Sequence, residues 1–162
     1  MLKLLSLFTS LTASALQPGT PLPANLKAKN QNGQVIEFSS LKGKNILIYF
    51  YPKDDTPGCT KQACSLRDNF SRFKDSNTVI FGVSRQDEKS HKDFIAKHKL
   101  PFDLLVDTDG SLAKALGVET MPVVGFAKRQ SLVIGPDGKV IQFFESVDPI
   151  THTDEVLKAL KK

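Results

Sequence analysis

Apolar residues gather in short runs, separated by turn-forming residues, and the runs carry two different periods. Ile46 to Tyr51 is continuous aliphatic and aromatic sequence, as a buried strand requires, and Pro52 ends its hydrogen-bonding ladder. Ala63, Leu66, Phe70 and Phe73 then recur at spacings of three and four, which predicts a helix running to about Phe73. Thr78 to Ser84 reads as a second core strand, Asp87 to His98 as a helix with Phe94 and Ile95 facing inward, and Phe102 to Val106 as a third strand. Asp109-Gly110 turns the chain into a short helix, Ser111 to Leu116, that Gly117 ends. From Ile46 to Val106 the order is β-α-β-α-β, which calls for a parallel portion of sheet covered by helices.

Both flanks of this core carry hairpin signals. Leu26 to Ala28 and Val35 to Phe38 enclose Asn30-Gln31-Asn32-Gly33, and Leu132 to Ile134 and Lys139 to Phe144 enclose Gly135-Pro136-Asp137-Gly138. Thr153 to Leu160 closes the chain with a helix whose Val156, Leu157 and Leu160 pack on the sheet. Gln17 to Leu26, with Pro18, Gly19, Pro21 and Pro23, reads as a linker into the domain. Before it, Met1-Leu2-Lys3, a brief apolar stretch to Leu11 and Ala13-Ser14-Ala15 have the order of a secretory signal with a cleavage site. Residues 1–16 are thus read as a signal peptide or flexible amino terminus, and residues 17–162 as one domain. The expected location is periplasmic or otherwise exported, with the cytoplasm as the alternative.

Composition narrows the function classes. A chain of 162 residues, 40% hydrophobic and 24% charged, supports one core without disulfide support. The net charge of +5 is spread among acids and ends in a Lys161-Lys162 tail, with no basic block interleaved with aromatics, so nucleic acid is not expected as a partner. No run approaches the ~20 apolar residues of a membrane span, so no stable membrane insertion is expected.

The two cysteines carry the chemistry. Cys59 falls in the middle of the apolar helical stripe, and Pro57-Gly58 immediately precede it, so it opens a helix and looks inward. Unpaired N–H groups of a first helical turn favour a thiolate over a thiol, and Lys53 and Lys61 stand nearby in sequence. The competing reading is a buried structural thiol. Cys64, five residues on, lies about 140 degrees around the helix, with the two Cα atoms roughly 8 to 9 Å apart, beyond disulfide reach in an intact helix. A bond between them requires the helix to unwind, which fits a transient, catalytic disulfide better than a staple. Thiolates at i and i+5 share no helical face and have no second Cys or Cys/His pair, so no metal is expected, and no cofactor either.

At this point the sequence resembles a known family. Pro52-x-x-x-Thr56-x-x-Cys59 is similar to the active-site motif of the peroxiredoxins. The longer string from Tyr51-Pro52-Lys53-Asp54-Asp55-Thr56-Pro57-Gly58-Cys59-Thr60, with Cys64 five positions after Cys59, resembles the bacterioferritin-comigratory-protein or PrxQ branch. The likeness continues through Arg67-Asp68, Gly82-Val83-Ser84, Ser90-His91 with Phe94, and Leu100-Pro101-Phe102 with Leu104-Leu105 and Asp107, covering most of the chain from about residue 17.

The resemblance implies an α/β thioredoxin-like sandwich with a central mixed sheet, helices on both faces and an added N-terminal β-hairpin. It implies a thiol-dependent peroxidase for hydrogen peroxide and organic hydroperoxides, in which Cys59 attacks the peroxide to give a sulfenic acid and Cys64 resolves it as an intramolecular disulfide. An external dithiol such as thioredoxin would then reduce that disulfide, and the branch is often monomeric. By the same likeness Thr56 hydrogen-bonds the cysteine and the peroxide, Pro52 shields the pocket, and Arg129, in Arg129-Gln130-Ser131, sits beside the catalytic sulfur. Gln62 departs from the glutamate that many relatives carry, an expected change in a local charge pair that leaves the chemistry alone.

The alternative is a thioredoxin-like disulfide oxidoreductase acting on protein thiols, which would normally use Cys-x-x-Cys. Asp54-Asp55 read as loop carboxylates making turn contacts or facing water. His91 and His98 on a charged helix, and His152 in a loop, have no evident base role.

Overall fold

A computed structural model describes residues 15–161. The amino-terminal pattern read as a signal lies outside the described residues, apart from Ala15 and Leu16. The strands are β1 (Lys27–Asn30), β2 (Val35–Glu37), β3 (Asn45–Phe50), β4 (Thr78–Ser84), β5 (Asp103–Val106), β6 (Ser131–Ile134) and β7 (Val140–Phe144). The helices are α1 (Pro57–Asp68), α2 (Phe70–Asp75), α3 (Glu88–His98), α4 (Ser111–Ala115) and α5 (His152–Leu160). One sheet holds the strands in the order β2-β1-β5-β4-β3-β6-β7. β3, β4 and β5 are parallel, as their crossover helices require, and β1, β2, β6 and β7 join antiparallel.

The two-residue period of β3 builds two cores at once. Leu47, Tyr49 and Tyr51 point to one face, where α1, α2, α3 and α5 bring Ala63, Leu66, Phe73, Phe94, Val156 and Leu157. Ile46, Ile48 and Phe50 point to the other, where they meet Leu112 and Leu116 of the α4 region and Phe38. Burying each such Leu, Ile or Phe is worth about 1.5–3 kcal/mol, so covering both faces of β3 anchors the whole sheet. Helices on both faces of a mixed sheet and an amino-terminal hairpin are the architecture anticipated from the sequence.

Gly82 explains how two large side chains share the centre. It pairs in register with Tyr49 on one side and Leu104 on the other, and a Cβ there would lie 2.6 Å from the Leu104 side chain and 2.8 Å from the Tyr49 ring. The missing side chain is a trough that the Tyr49 ring fills, stacked on Tyr51 at 5.5 Å and edge-on to Phe102.

Several boundaries differ from the sequence reading for local reasons. The helix expected to reach Phe73 is two helices. At Asn69 the side-chain amide and the backbone N–H both bond the Ser65 carbonyl, so the side chain competes with the ladder and breaks it, while Phe73 stays buried. Phe38 leaves β2 for a 3-10 turn, Phe38–Leu41, which lowers its ring onto Phe81 at 5.7 Å. The hairpin strand β1 runs on to Asn30, whose carboxamide oxygen accepts from the N–H groups of Asn32 and Gln34 and so closes the turn itself. Residues read as a linker into the domain form a strap. Gly19 and Thr20 bond Val140 in both directions at 2.8 Å, and Leu22 donates to Gly138, covering the outer edge of β7. His152, expected in a loop, begins α5 and is fully buried.

The arrangement of β6 matters most for function. Because β6 runs antiparallel to β3, its start meets the end of β3: Tyr49 pairs with Ser131, and Phe50 donates to the Gln130 carbonyl. The residue before Gln130 is therefore delivered to the edge of the sheet where α1 begins. No described helix is long and apolar enough to cross a membrane.

Candidate active site

Thr56 occupies the N-cap of α1 with extended backbone, φ −90° and ψ 156°, and Pro57 takes the first helical position. The intrahelical ladder opens with Thr60 N–H donating to the Thr56 carbonyl, which leaves the Gly58 and Cys59 N–H groups without an acceptor in the helix. Cys59 sits on that first turn, 2% exposed, with its sulfur among the groups of the first core. The thiol is thus at the positive end of the helix and out of bulk water, where a nearby charge acts with little screening.

That charge is Arg129. Its Nη2 donates to Cys59 Sγ at 3.4 Å and its Nη1 donates to Gln62 Oε1 at 2.7 Å. Gln62 lies one turn beyond Cys59 on the same face of α1 and is itself buried. With Oε1 turned to the guanidinium, which only donates, the Gln62 amide must present Nε2–H to His152 Nδ1, 3.1 Å away. His152 Nδ1 is then an acceptor, and its Nε2–H donates to Ser131 Oγ at 2.8 Å. This fixes a neutral ring in one tautomer. Burial, assisted by the Arg129 charge, accordingly lowers the His152 pKa from 6.5 to about 4. No carboxylate pairs with Arg129 among the described residues, so its charge is directed at the sulfur. The departure at Gln62 is therefore part of the site, since it links the guanidinium to α5.

Gly58 is small for a reason. A Cβ there would stand 3.1 Å from Arg129 Nη2 and 3.7 Å from Pro149, so the guanidinium occupies the space a side chain would need.

The other expected residues lie on α1 and the loop that leads into it. Thr56 Oγ1 donates to the Lys53 carbonyl at 2.9 Å, which turns its lone pairs outward to accept. Pro52 lies two residues beyond the end of β3 and is partly buried, and Cys64 is a free, partly buried thiol farther along α1. Lys53 and Lys61 both face solvent. Ser65 Oγ bonds Thr153 Oγ1 at 2.7 Å, tying α1 to α5 just beyond Cys64. No group of three or more His, Cys, Asp or Glu side chains suited to a metal occurs among the described residues.

One sequence expectation is corrected at the loop before α1. Asp55 does lie at the surface, bonded to Lys97 and His98, but Asp54 is only 8% exposed and accepts from Tyr51 Oη and Ser90 Oγ, with His91 Nδ1 at 2.7 Å. His91 is completely buried. The signal was present in the spacing: His91, Phe94, Ile95 and His98 form one i, i+3, i+4, i+7 stripe, so His91 belongs to the inward face of α3.

Residues 18–143 match the AhpC/TSA family. Over 153 residues the chain is 39% identical to the chloroplastic peroxiredoxin Q of Sedum lineare, covering 94% of this chain and 81% of that one. It is 39% identical over 143 residues to peroxiredoxin Bcp of Bacillus subtilis (strain 168), covering 85% and 90%. Among solved structures, the bacterioferritin comigratory protein of Xanthomonas campestris, studied for its alkyl peroxide reduction activity, superposes with a TM-score of 0.82 at 32% identity, over 90% of this chain and 98% of that one.

Two expected outcomes test this geometry. Arg129 is held on its far side by Gln62, so Gly58→Ala should displace the guanidinium from the sulfur and slow Cys59 oxidation by peroxide roughly tenfold, read by stopped-flow fluorescence, with little change in fold by circular dichroism. The buried His152 must titrate in the unfolded chain near 6.5 and in the folded protein near 4. Its contribution is therefore complete above pH ~6.5, declines by roughly 3 kcal/mol as pH falls to ~4, and is flat below that. Urea unfolding between those pH values should show this slope in the native protein and a shallower one in His152→Gln.

Proposed function

The chain belongs to the AhpC/TSA family as a thiol-dependent peroxidase of the peroxiredoxin Q and Bcp type, and on that premise we propose that Cys59 is its peroxide-reacting nucleophile and Cys64 its resolving thiol. The observation that carries this assignment is the Arg129 guanidinium on the Cys59 sulfur at the open start of α1. The thiolate of Cys59 attacks the terminal oxygen of R–O–O–H. An S–O bond forms, the O–O bond breaks, and the departing alkoxide or hydroxide takes a proton to leave as alcohol or water. Sulfur loses two electrons and becomes a sulfenic acid.

Each neighbour has a role in that step. Arg129 holds the thiolate and meets the negative charge as it moves onto the leaving oxygen. Thr56, its own proton given to the Lys53 carbonyl, accepts the hydrogen of the peroxide and so orients the O–O bond toward sulfur. Pro52 forms the wall where β3 ends, and the unpaired Gly58 and Cys59 N–H groups add donors at the same end of the helix.

Resolution follows when the Cys64 thiol attacks the sulfenic sulfur, forms the S–S bond and releases water. The two cysteines lie on one helix, so α1 must open between them, and the Gln62 bonds to Arg129 and His152 are released as it does. Because one chain supplies both sulfurs, the cycle needs no second copy, and we assign it to a monomer. An external dithiol such as thioredoxin then exchanges with the disulfide and returns both thiols. Hydrogen peroxide and organic hydroperoxides are the proposed substrates, the latter supported by the alkyl peroxide activity of the Xanthomonas campestris relative.

The division of labour is tested by two variants. Cys59→Ser should consume no peroxide above the rate of a free thiol. Cys64→Ser should still consume one equivalent and trap a sulfenic acid on Cys59, seen by mass after dimedone labelling, while steady-state turnover with thioredoxin falls at least ~10-fold. Equal loss of the first oxidation in both variants would overturn the assignment.

A further inference from the structure

The buried carboxylate at Asp54 is used by none of these steps, yet it sits in the loop that carries Thr56. Its Oδ1 accepts from Tyr51 Oη at 2.5 Å, its Oδ2 accepts from Ser90 Oγ at 2.7 Å, and His91 Nδ1 lies 2.7 Å from the same Oδ2. On its other ring nitrogen, His91 Nε2 is 2.9 Å from the Leu105 carbonyl, which can only accept, so that nitrogen carries hydrogen. The contact between Nδ1 and Oδ2 is then a hydrogen bond that ties the ring to the carboxyl group. The backbone N–H of Asp54 is also fixed, donating to Gln86 Oε1, which in turn accepts from Ser84 Oγ.

These bonds clamp one residue of a short turn. The adjacent Lys53 carbonyl receives the Thr56 hydroxyl, and Asp55, held at φ +58°, is tied to Lys97 and His98 at the far end of α3. Resting on the reading of Cys59 and Thr56 above, we propose that Asp54 and His91 are positioning residues for peroxide reduction: they hold the Lys53 carbonyl where it orients the Thr56 hydroxyl. The clamp acts on the peroxide-orienting half of the pocket alone. The thiolate half depends on Arg129, Gln62 and the helix start, none of which bonds Asp54 or His91.

That separation gives the test. Two second-order rates are measured on the full chain: oxidation of Cys59 by hydrogen peroxide, which needs Thr56, and alkylation of Cys59 by iodoacetamide, followed by peptide mass, which needs only the thiolate. Asp54→Ala should slow peroxide oxidation at least ~10-fold and leave alkylation within about twofold of the native protein. Asp54→Asn should stay within roughly threefold on both, because its amide can donate to a neutral His91 while its oxygen still accepts from Tyr51. If Asp54→Ala does not fold, Ser90→Ala, which removes one of the donors, should lower the ratio of the two rates by roughly threefold. The proposal is overturned if the two rates fall together, if neither falls, if Asp54→Asn loses as much as Asp54→Ala, or if the Ser90→Ala ratio is unchanged. A native protein that reacts with peroxide no faster than a free thiol would instead overturn the peroxidase reading itself.

Discussion

The structure turns on a conflict within α1. In the proposed cycle the helix has to be intact for Cys59 to meet Arg129 at its first turn, and it has to open for Cys59 to reach Cys64 on the same helix. Both demands fall on the stretch between the two cysteines, and the contacts around it are divided accordingly. Before the stretch, Asp54 and Asp55 are bonded to α3. After it, Ser65 is bonded to Thr153 and the Arg67 guanidinium to the His98 carbonyl. Within it, the side-chain ties are those of Cys59 and Gln62 to Arg129 and of Gln62 to His152. Opening is bracketed by fixed ends, so its cost falls on a few hydrogen bonds worth about 1 kcal/mol each and on the burial of Cys59 and Ala63, and not on the rest of the core.

The polar groups packed against this stretch share a second property. Gln62 is an amide and His152 is a neutral ring. Arg129 is thereby the guanidinium whose charge the sulfur feels, in surroundings where screening by water is weak. A carboxylate in place of Gln62 would take up part of that charge and would accept a proton from His152 instead of donating to it. The amide at position 62 thus holds the guanidinium without neutralising it and fixes the tautomer of a ring one step removed.

Much of the fold was legible because it rests on period and punctuation. The continuous run at Ile46 to Tyr51, the alternation of strands with helical stripes, and the Gly-Pro-Asp-Gly hairpin each state a local preference that the tertiary structure keeps. What could not be read was long-range. Nothing in the sequence places Arg129 at Cys59 except the antiparallel docking of β6, and only the resemblance anticipated it. The Asp54–His91 bond, the Gln62–His152 bond and the strap over β7 join residues far apart in the chain, so no window contains both partners. The break at Asn69 was local but arose from a side chain competing with its own helix, which a hydrophobic period does not register.

The distance in sequence between Cys59 and Arg129, 70 positions, has a consequence for the young chain. A polypeptide emerges from its amino end, so the cysteine helix is made well before β6 exists to bring the guanidinium to it. Until β6 pairs with β3, Cys59 lacks its counter-charge and the part of the first core that Val133 and α5 supply. The order of synthesis thus separates the making of the cysteine helix from the arrival of the guanidinium that the finished fold sets against its sulfur.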